Sequence, residues 1–112
     1  MRILALLIAA VFSGWVPSSA QQKPPFSMQE KAIQQQVRAL RSLPDDTRAV
    51  TIRQLAAEIQ RLPAGANKLM LAMSLSGLST EGDFGRDTLQ AVATTLAGAI
   101  REQRQLLSLI HI

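Results

Sequence analysis

Two leucine–proline pairs, at residues 43–44 and 62–63, constrain the fold of this chain more than any other feature. Proline lacks a backbone N–H and clashes with the preceding helical turn, so each pair ends a helix. Apolar residues around the pairs recur at helical spacing, and no segment alternates with the period of two that marks a strand. The sequence therefore predicts an all-α fold of about four antiparallel helices, arranged as a small bundle or as the start of an alpha-solenoid.

The two pairs end similar segments, at residues 40–44 and 59–63, each with the pattern apolar-x-x-Leu-Pro. The match favours a helical-hairpin repeat if it extends along the chain. Two unrelated helices that end with similar residues explain the same letters. The sequence leaves both interpretations open.

Signals for helix starts and stops bound the first two helices. Ser27 and Glu30 match the capping box, so the first helix is expected to start at Ser27 and to end near Ser42. Asp45 or Asp46 is expected to be the N-cap of a second helix over about residues 47–62. The buried face of this second helix is predicted to comprise Ile52, Leu55, Ala56, Ile59 and Leu62.

A third and a fourth helix follow. Asn67 is expected to cap a helix over residues 68–78, which is apolar nearly all round and is therefore predicted to be covered by its neighbours. A glycine-containing connection, residues 79–85, leads to a helix over about residues 86–103. The buried face of this fourth helix is predicted to comprise Leu89, Val92, Ala93, Leu96 and Ile100.

The first twenty residues have the pattern of a secretory signal peptide. A basic residue precedes an apolar run at residues 3–12, which is about half as long as a bilayer span, and small residues end at Ala20. We expect cleavage between Ala20 and Gln21, a proline-containing linker over residues 21–26, and a helical domain over residues 27–106. The protein is then periplasmic or secreted, with no transmembrane span after cleavage; an uncleaved N-terminal anchor helix is the alternative.

Composition excludes several kinds of site. The chain has no cysteine, which rules out a disulfide, a thiolate nucleophile and a cysteine-ligated zinc ion within it. Twelve Lys and Arg residues against eight Asp and Glu residues give a mild positive charge, without the dense basic stripe of a nucleic-acid-binding protein. We expect no nucleic-acid partner, and no catalytic, cofactor-binding or metal-binding residues in this chain.

Two clusters of charged residues suggest binding surfaces. Residues 81–87 carry three carboxylates and two glycines, which suggests calcium, but the spacing does not match an EF-hand loop and a helix start at Asp83 or Asp87 explains the same residues. Five arginines on the first two helices would form a basic face for acidic lipid headgroups or an acidic protein, unless they only solvate the outward surface. These possible contact residues are Arg38, Arg41, Arg48, Arg53 and Arg61.

The last six residues, 107–112, do not continue the pattern of the fourth helix and contain no helix C-cap. Their letters, LSLIHI, resemble the translation of a transposase adapter used in sequencing-library preparation. We expect this tail to be non-native and the natural protein to continue differently after Leu106. A genuine hydrophobic tail packed on the bundle is the alternative. The only histidine, His111, lies in this tail, so no histidine-based mechanism is predicted.

Three segments carry a family resemblance: LPDD at residues 43–46, LPAG at residues 62–65 and LSTEGDFGRDTLQ at residues 78–90. With the sequence between them, over residues 40–100, they resemble the helical region that precedes the thioredoxin-like domain in exported bacterial redoxins of the thiol-disulfide interchange type, especially those of soil acidobacteria. In that family the activity belongs to a downstream Cys-x-x-Cys domain. This chain has no such motif, so no catalytic residue is carried over.

Two functions follow from these observations. The first is an exported, non-catalytic helical module, the N-terminal part of a truncated thioredoxin-like oxidoreductase, whose partner is the missing C-terminal domain or a protein client. The second is a free-standing helical adaptor that binds an envelope surface or an acidic partner through the arginine-rich face. An enzyme in its own right is a third and weaker hypothesis.

Overall fold

A computed structural model of the chain describes residues 25–110. Within this range the fold is all-α, without a strand, as the sequence predicts. The elements are α1 (Met28–Ala39), a 3-10 turn (Leu40–Ser42), α2 (Asp45–Gln60), α3 (Ala66–Ser79) and α4 (Arg86–Ile110). The predicted signal peptide, its cleavage between Ala20 and Gln21, and most of the predicted linker lie outside the described residues.

Helix α1 begins with the predicted capping box. The backbone N–H of Glu30 donates to Ser27 Oγ at 3.1 Å, and the backbone N–H of Ser27 donates to Glu30 Oε1 at 2.8 Å. The packed part of the chain starts one residue earlier than predicted, because Phe26 already lies against the core. The 3-10 turn buries Leu40 completely and ends the segment before Pro44.

Helix α2 starts slightly earlier than the sequence suggests. Its N-cap is Pro44, which makes no side-chain capping hydrogen bond, so the expected N-cap at Asp45 or Asp46 is wrong. Pro44 already has the extended backbone of an N-cap, and both aspartates instead lie in the first turn, where their charge favours the positive helix end. The predicted buried face is confirmed, because Ile52, Leu55, Ala56, Ile59 and Leu62 are all at most 4% exposed.

Helix α3 departs from its prediction in two ways. It starts at Ala66, and Asn67 lies inside the helix, where its amide Nδ2 donates to Glu30 Oε1 at 3.2 Å rather than capping. The helix is also not covered all round, because Met73 is 58% exposed whereas Leu71 and Leu75 are buried. Three neighbouring helices do not suffice to surround α3 on every side.

Helix α4 buries a different face from the predicted one. Val92 is buried as expected, but Leu89 is 57% exposed and Ile100 is 43% exposed. The buried face instead passes through Thr88, Val92, Thr95 and Ala99. Hydroxyl hydrogen bonds to α2 favour this rotation, since Thr95 Oγ1 donates to Ala56 O at 3.1 Å.

The end of α4 also differs from the prediction. The helix continues to Ile110 instead of stopping near Gln103, so residues 107–110 are helical even though the side chains of Leu107 and Leu109 are exposed. The adapter origin of residues 107–112 stays a prediction, and His111 lies outside the described residues.

The helices form an incompletely closed bundle. Helices α1 and α4 each pack on both α2 and α3, with little or no direct packing of α1 against α4. The core between them consists of buried aliphatic side chains from all four helices. Within the described part of the chain, no helix has the length and apolar character needed to cross a membrane. The side of α3 between α1 and α4 is not covered by another helix of residues 25–110, and Met73 on α3 is 58% exposed.

Candidate functional site

A groove runs between α1 and α3 on the open side of the bundle. We call it the α1–α3 groove; its volume is about 370 Å³. Apolar side chains of both helices form its floor, with Val37 and Leu71 buried in the core below. The full lining comprises Phe26, Gln34, Val37, Arg38, Arg41, Met70, Leu71, Ser74 and Leu78. A groove with an apolar floor and a few polar residues at its edge has the general character of a binding surface.

The charged residues that line this groove are both arginines. Arg41 is engaged with Glu81 of the connection between α3 and α4: its Nε donates to Glu81 Oε1 at 3.0 Å, and its Nη2 donates to Oε2. This hydrogen bonding lowers the pKa of the Glu81 carboxyl and raises the pKa of Arg41. Arg38 is exposed and forms no ion pair with any carboxylate of residues 25–110. The groove thus has a positive edge that is only partly neutralised.

A second hollow lies across α3 from the groove. It has a volume of about 510 Å³ and shares Met70 and Ser74 with the α1–α3 groove. Its lining comprises Ala66, Leu69, Met70, Met73, Ser74 and Gln103. The two hollows adjoin along the outward face of α3, where Met70 and Ser74 line both. Methionines suit such a surface because their flexible side chains adapt to different partners.

The five predicted contact arginines do not form one free basic face. Arg48 is held against the bundle: its Nη2 donates to Leu43 O at 3.0 Å, and its guanidinium carbon lies 5.5 Å from the centre of the Phe84 ring. Arg53 Nη1 donates to the buried hydroxyl of Thr88 at 2.8 Å. Arg38 lies on α1 and Arg61 in the turn after α2, and both are exposed without such a contact to the described residues. The structure brings Arg38 and Arg41 together at the groove and leaves Arg61 apart from them.

A buried polar cluster on the far side of α3 escapes the sequence analysis. The ammonium of Lys68, whose residue is only 4% exposed, donates to Gln60 O at 2.9 Å, to Leu62 O at 3.1 Å and to Glu102 Oε1 at 2.7 Å. The lysine therefore satisfies carbonyls at the end of α2, which have no partner within that helix. The sequence does contain one sign of this cluster: Lys68 is the single charged residue of a largely apolar helix, and a buried lysine needs polar partners.

The connection before α4 is explained by local structure. Glu81 is engaged by Arg41, and Asp83 Oδ1 accepts a hydrogen bond from the backbone N–H of Gly85 at 3.2 Å. Gly85 has a φ of +93°, a backbone conformation that favours glycine. Within residues 25–110, no group of three or more Asp, Glu or His side chains is placed to hold a metal ion.

Comparison of the chain with protein-family models, with curated proteins and with solved structures gives no match.

Proposed function

We propose that this chain is an exported, non-catalytic helical interaction module that holds a protein partner against the open face of α3. The observation that carries this proposal is the largely apolar surface formed by the α1–α3 groove and the adjoining hollow, on the face of α3 that no other helix of residues 25–110 covers. The resemblance to the helical region of exported redoxins supports a specific role. The module positions a downstream thioredoxin-like domain or docks the client of that domain.

The main alternative is a free-standing adaptor that uses an arginine-rich face. The contacts of Arg48 with Leu43 O and of Arg53 with Thr88 weigh against it, because they hold these two guanidinium groups against the bundle. Salt-sensitive binding of the full chain to vesicles rich in phosphatidylglycerol, lost equally on Arg38→Gln and on Arg61→Gln, would favour the adaptor.

The redoxin role is tested at the gene. The natural locus is sequenced from independent DNA beyond the codon for Leu106. A reading frame that continues into a Cys-x-x-Cys thioredoxin-like domain is expected. A complete frame without such a domain, or a natural stop codon directly after Ile112, would refute the positioning role.

The docking role is tested by methionine-methyl NMR of the full chain. When the downstream domain encoded by the natural gene is added, the methyl resonance of Met70 in the groove should shift. Met28, which is 89% exposed and absent from the lining of either hollow, is the internal control and should not shift. Equal shifts at both methionines, or a shift at neither, would contradict docking on the open face.

A further inference from the structure

The geometry points to an amphipathic helix with acidic residues along one flank as the occupant of the α1–α3 groove. This inference rests on the proposed docking function and adds the chemistry of the partner. Two observations carry it: the open position in the bundle, and the sign of the charges that line the groove.

The shape of the opening suits a helix. Helices α1 and α4 both pack on α2 and α3 but not substantially on each other, so the bundle lacks an element over the outward face of α3. Met70, Ser74 and Leu78, each four residues apart, line the groove along α3 and form a ridge of the kind that packs between the side chains of a second helix. Amphipathic helices bind such grooves through apolar residues spaced three and four apart.

The charge of the lining selects an acidic flank. Arg38 and Arg41 are the charged residues of the groove, and neither of the two hollows on α3 is lined by a carboxylate. Arg41 already holds Glu81, whereas Arg38, the other arginine of the groove, pairs with no carboxylate of residues 25–110. A carboxylate on the partner, placed at this edge, would pair with Arg38. Residues 1–24 carry no Asp or Glu, so the acidic helix that pairs with Arg38 belongs to a different chain or domain.

Three synthetic peptides test the inference. Each is an amphipathic helix of about four turns with leucines on one face, and the flank carries Glu, Gln or Lys. Binding to the full chain is followed by the methyl shift of Met70, with Met28 as the reference. The expected order of affinity is Glu over Gln over Lys, and the preference for Glu should decrease with added salt.

Matched variants locate the charge. Arg38→Gln should weaken binding of the Glu peptide about two- to fivefold, the range of one exposed ion pair, and Arg38→Lys should restore part of this loss. Arg61→Gln, which removes another exposed arginine outside the groove, should leave affinity unchanged. Ser74→Glu should weaken binding more than about tenfold, because it adds a carboxylate to the lining of the groove that repels the acidic flank of the peptide. Ser74→Gln matches the added size and should cost less.

The outcomes separate the two proposals. If the Gln or Lys peptide binds as tightly as the Glu peptide, the acidic partner is refuted while the docking groove stands. If no peptide shifts Met70 but the downstream domain does, the inference fails and the proposed function survives. An equal shift of Met70 by phosphatidylglycerol vesicles would overturn a helical partner in favour of lipid. A concentration-dependent shift without added peptide would overturn it in favour of a second copy of this chain.

Discussion

The buried ammonium of Lys68 allows a quantitative test of the packing. Its side chain is 5% exposed, and the carboxylate of Glu102, 2.7 Å away, belongs to a side chain that is 33% exposed. The substitution Glu102→Gln keeps the shape and a hydrogen-bond acceptor but removes the opposite charge. The ammonium is then left with neutral acceptors alone, the amide oxygen and the carbonyls of Gln60 and Leu62.

The expected magnitude follows from this geometry. Removing one partner of a fully buried ion pair costs about 3–5 kcal/mol. Water already screens one side of this pair, and the two carbonyls still stabilise the ammonium, so we expect about 2 kcal/mol for Glu102→Gln. Lys68→Met removes the charge together with its desolvation penalty. It leaves the part-buried Gln60 O and the buried Leu62 O without the ammonium, for which we expect a loss of about 1 kcal/mol. The double variant should lose little more than Lys68→Met alone, because the carboxylate then has no buried charge to neutralise.

Urea unfolding of the full chain, followed by far-ultraviolet circular dichroism, measures these differences. Arg101→Gln removes an exposed charge from the residue next to Glu102 and should change the free energy of unfolding by less than about 0.5 kcal/mol. For a domain of this size, the loss expected for Glu102→Gln lowers the midpoint of thermal unfolding by about 10 °C. Losses that add in the double variant, or a Glu102→Gln loss no larger than that of Arg101→Gln, would refute the reasoning.

Three further substitution tests address the core, the backbone and pH. Leu55→Ala should lower the free energy of unfolding by about 3 kcal/mol because Leu55 is fully buried, whereas Leu89→Ala should lower it by less than about 0.5 kcal/mol because Leu89 is exposed. Equal losses in urea unfolding would mean that Leu89 is buried, as the sequence predicts for α4. Gly77→Ala should stabilise the fold by about 0.5 kcal/mol, because the added Cβ meets open space on a helix. Gly85→Ala should destabilise it by about 1 kcal/mol, because Gly85 has a positive φ. Shifts of the thermal midpoint in the same direction for both variants would contradict this. The pKa of the Glu81 carboxyl is lower than in the unfolded chain, so its ion pair with Arg41 stabilises the fold above the ordinary carboxyl pKa and is lost as the pH falls through the lowered pKa. The difference in the free energy of unfolding between the natural chain and Glu81→Gln should therefore shrink in acid. A difference that does not change with pH would contradict this.

Local signals explain why the first half of the fold is predictable from the sequence. The capping box of α1 depends on Ser27 and Glu30, which are three residues apart, and the buried face of α2 follows from aliphatic spacing alone. The residue predicted as the N-cap of α2 is wrong because aspartate also stabilises a helix start from inside the first turn, where Asp45 and Asp46 lie.

The candidate site is less predictable because it depends on contacts that are distant in sequence. Which arginines remain available is decided by partners such as Glu81 for Arg41 and Thr88 for Arg53, which lie more than thirty residues away. The groove stays open because α1 and α4 have little or no direct packing against each other, and no residue type in the sequence predicts that separation. The spacing of arginines therefore suggested one face, whereas the fold separates Arg38 from Arg61.

Polar contacts between α2 and α4 account for both the rotation of α4 and the open face of α3. Arg53 bonds to Thr88 and Gln60 bonds to Thr95, so two contacts recur seven residues apart on each helix and require α2 and α4 to run in the same direction. A slip of α4 by one helical turn would break both hydrogen bonds and would also separate Glu102 from the ammonium of Lys68. The aliphatic core would tolerate such a slip more readily, because apolar contacts are non-directional. The hydroxyls thus fix the register, and they turn Leu89 outward in doing so. Since α3 packs on both helices, this register also determines which of its faces stays open to form the groove.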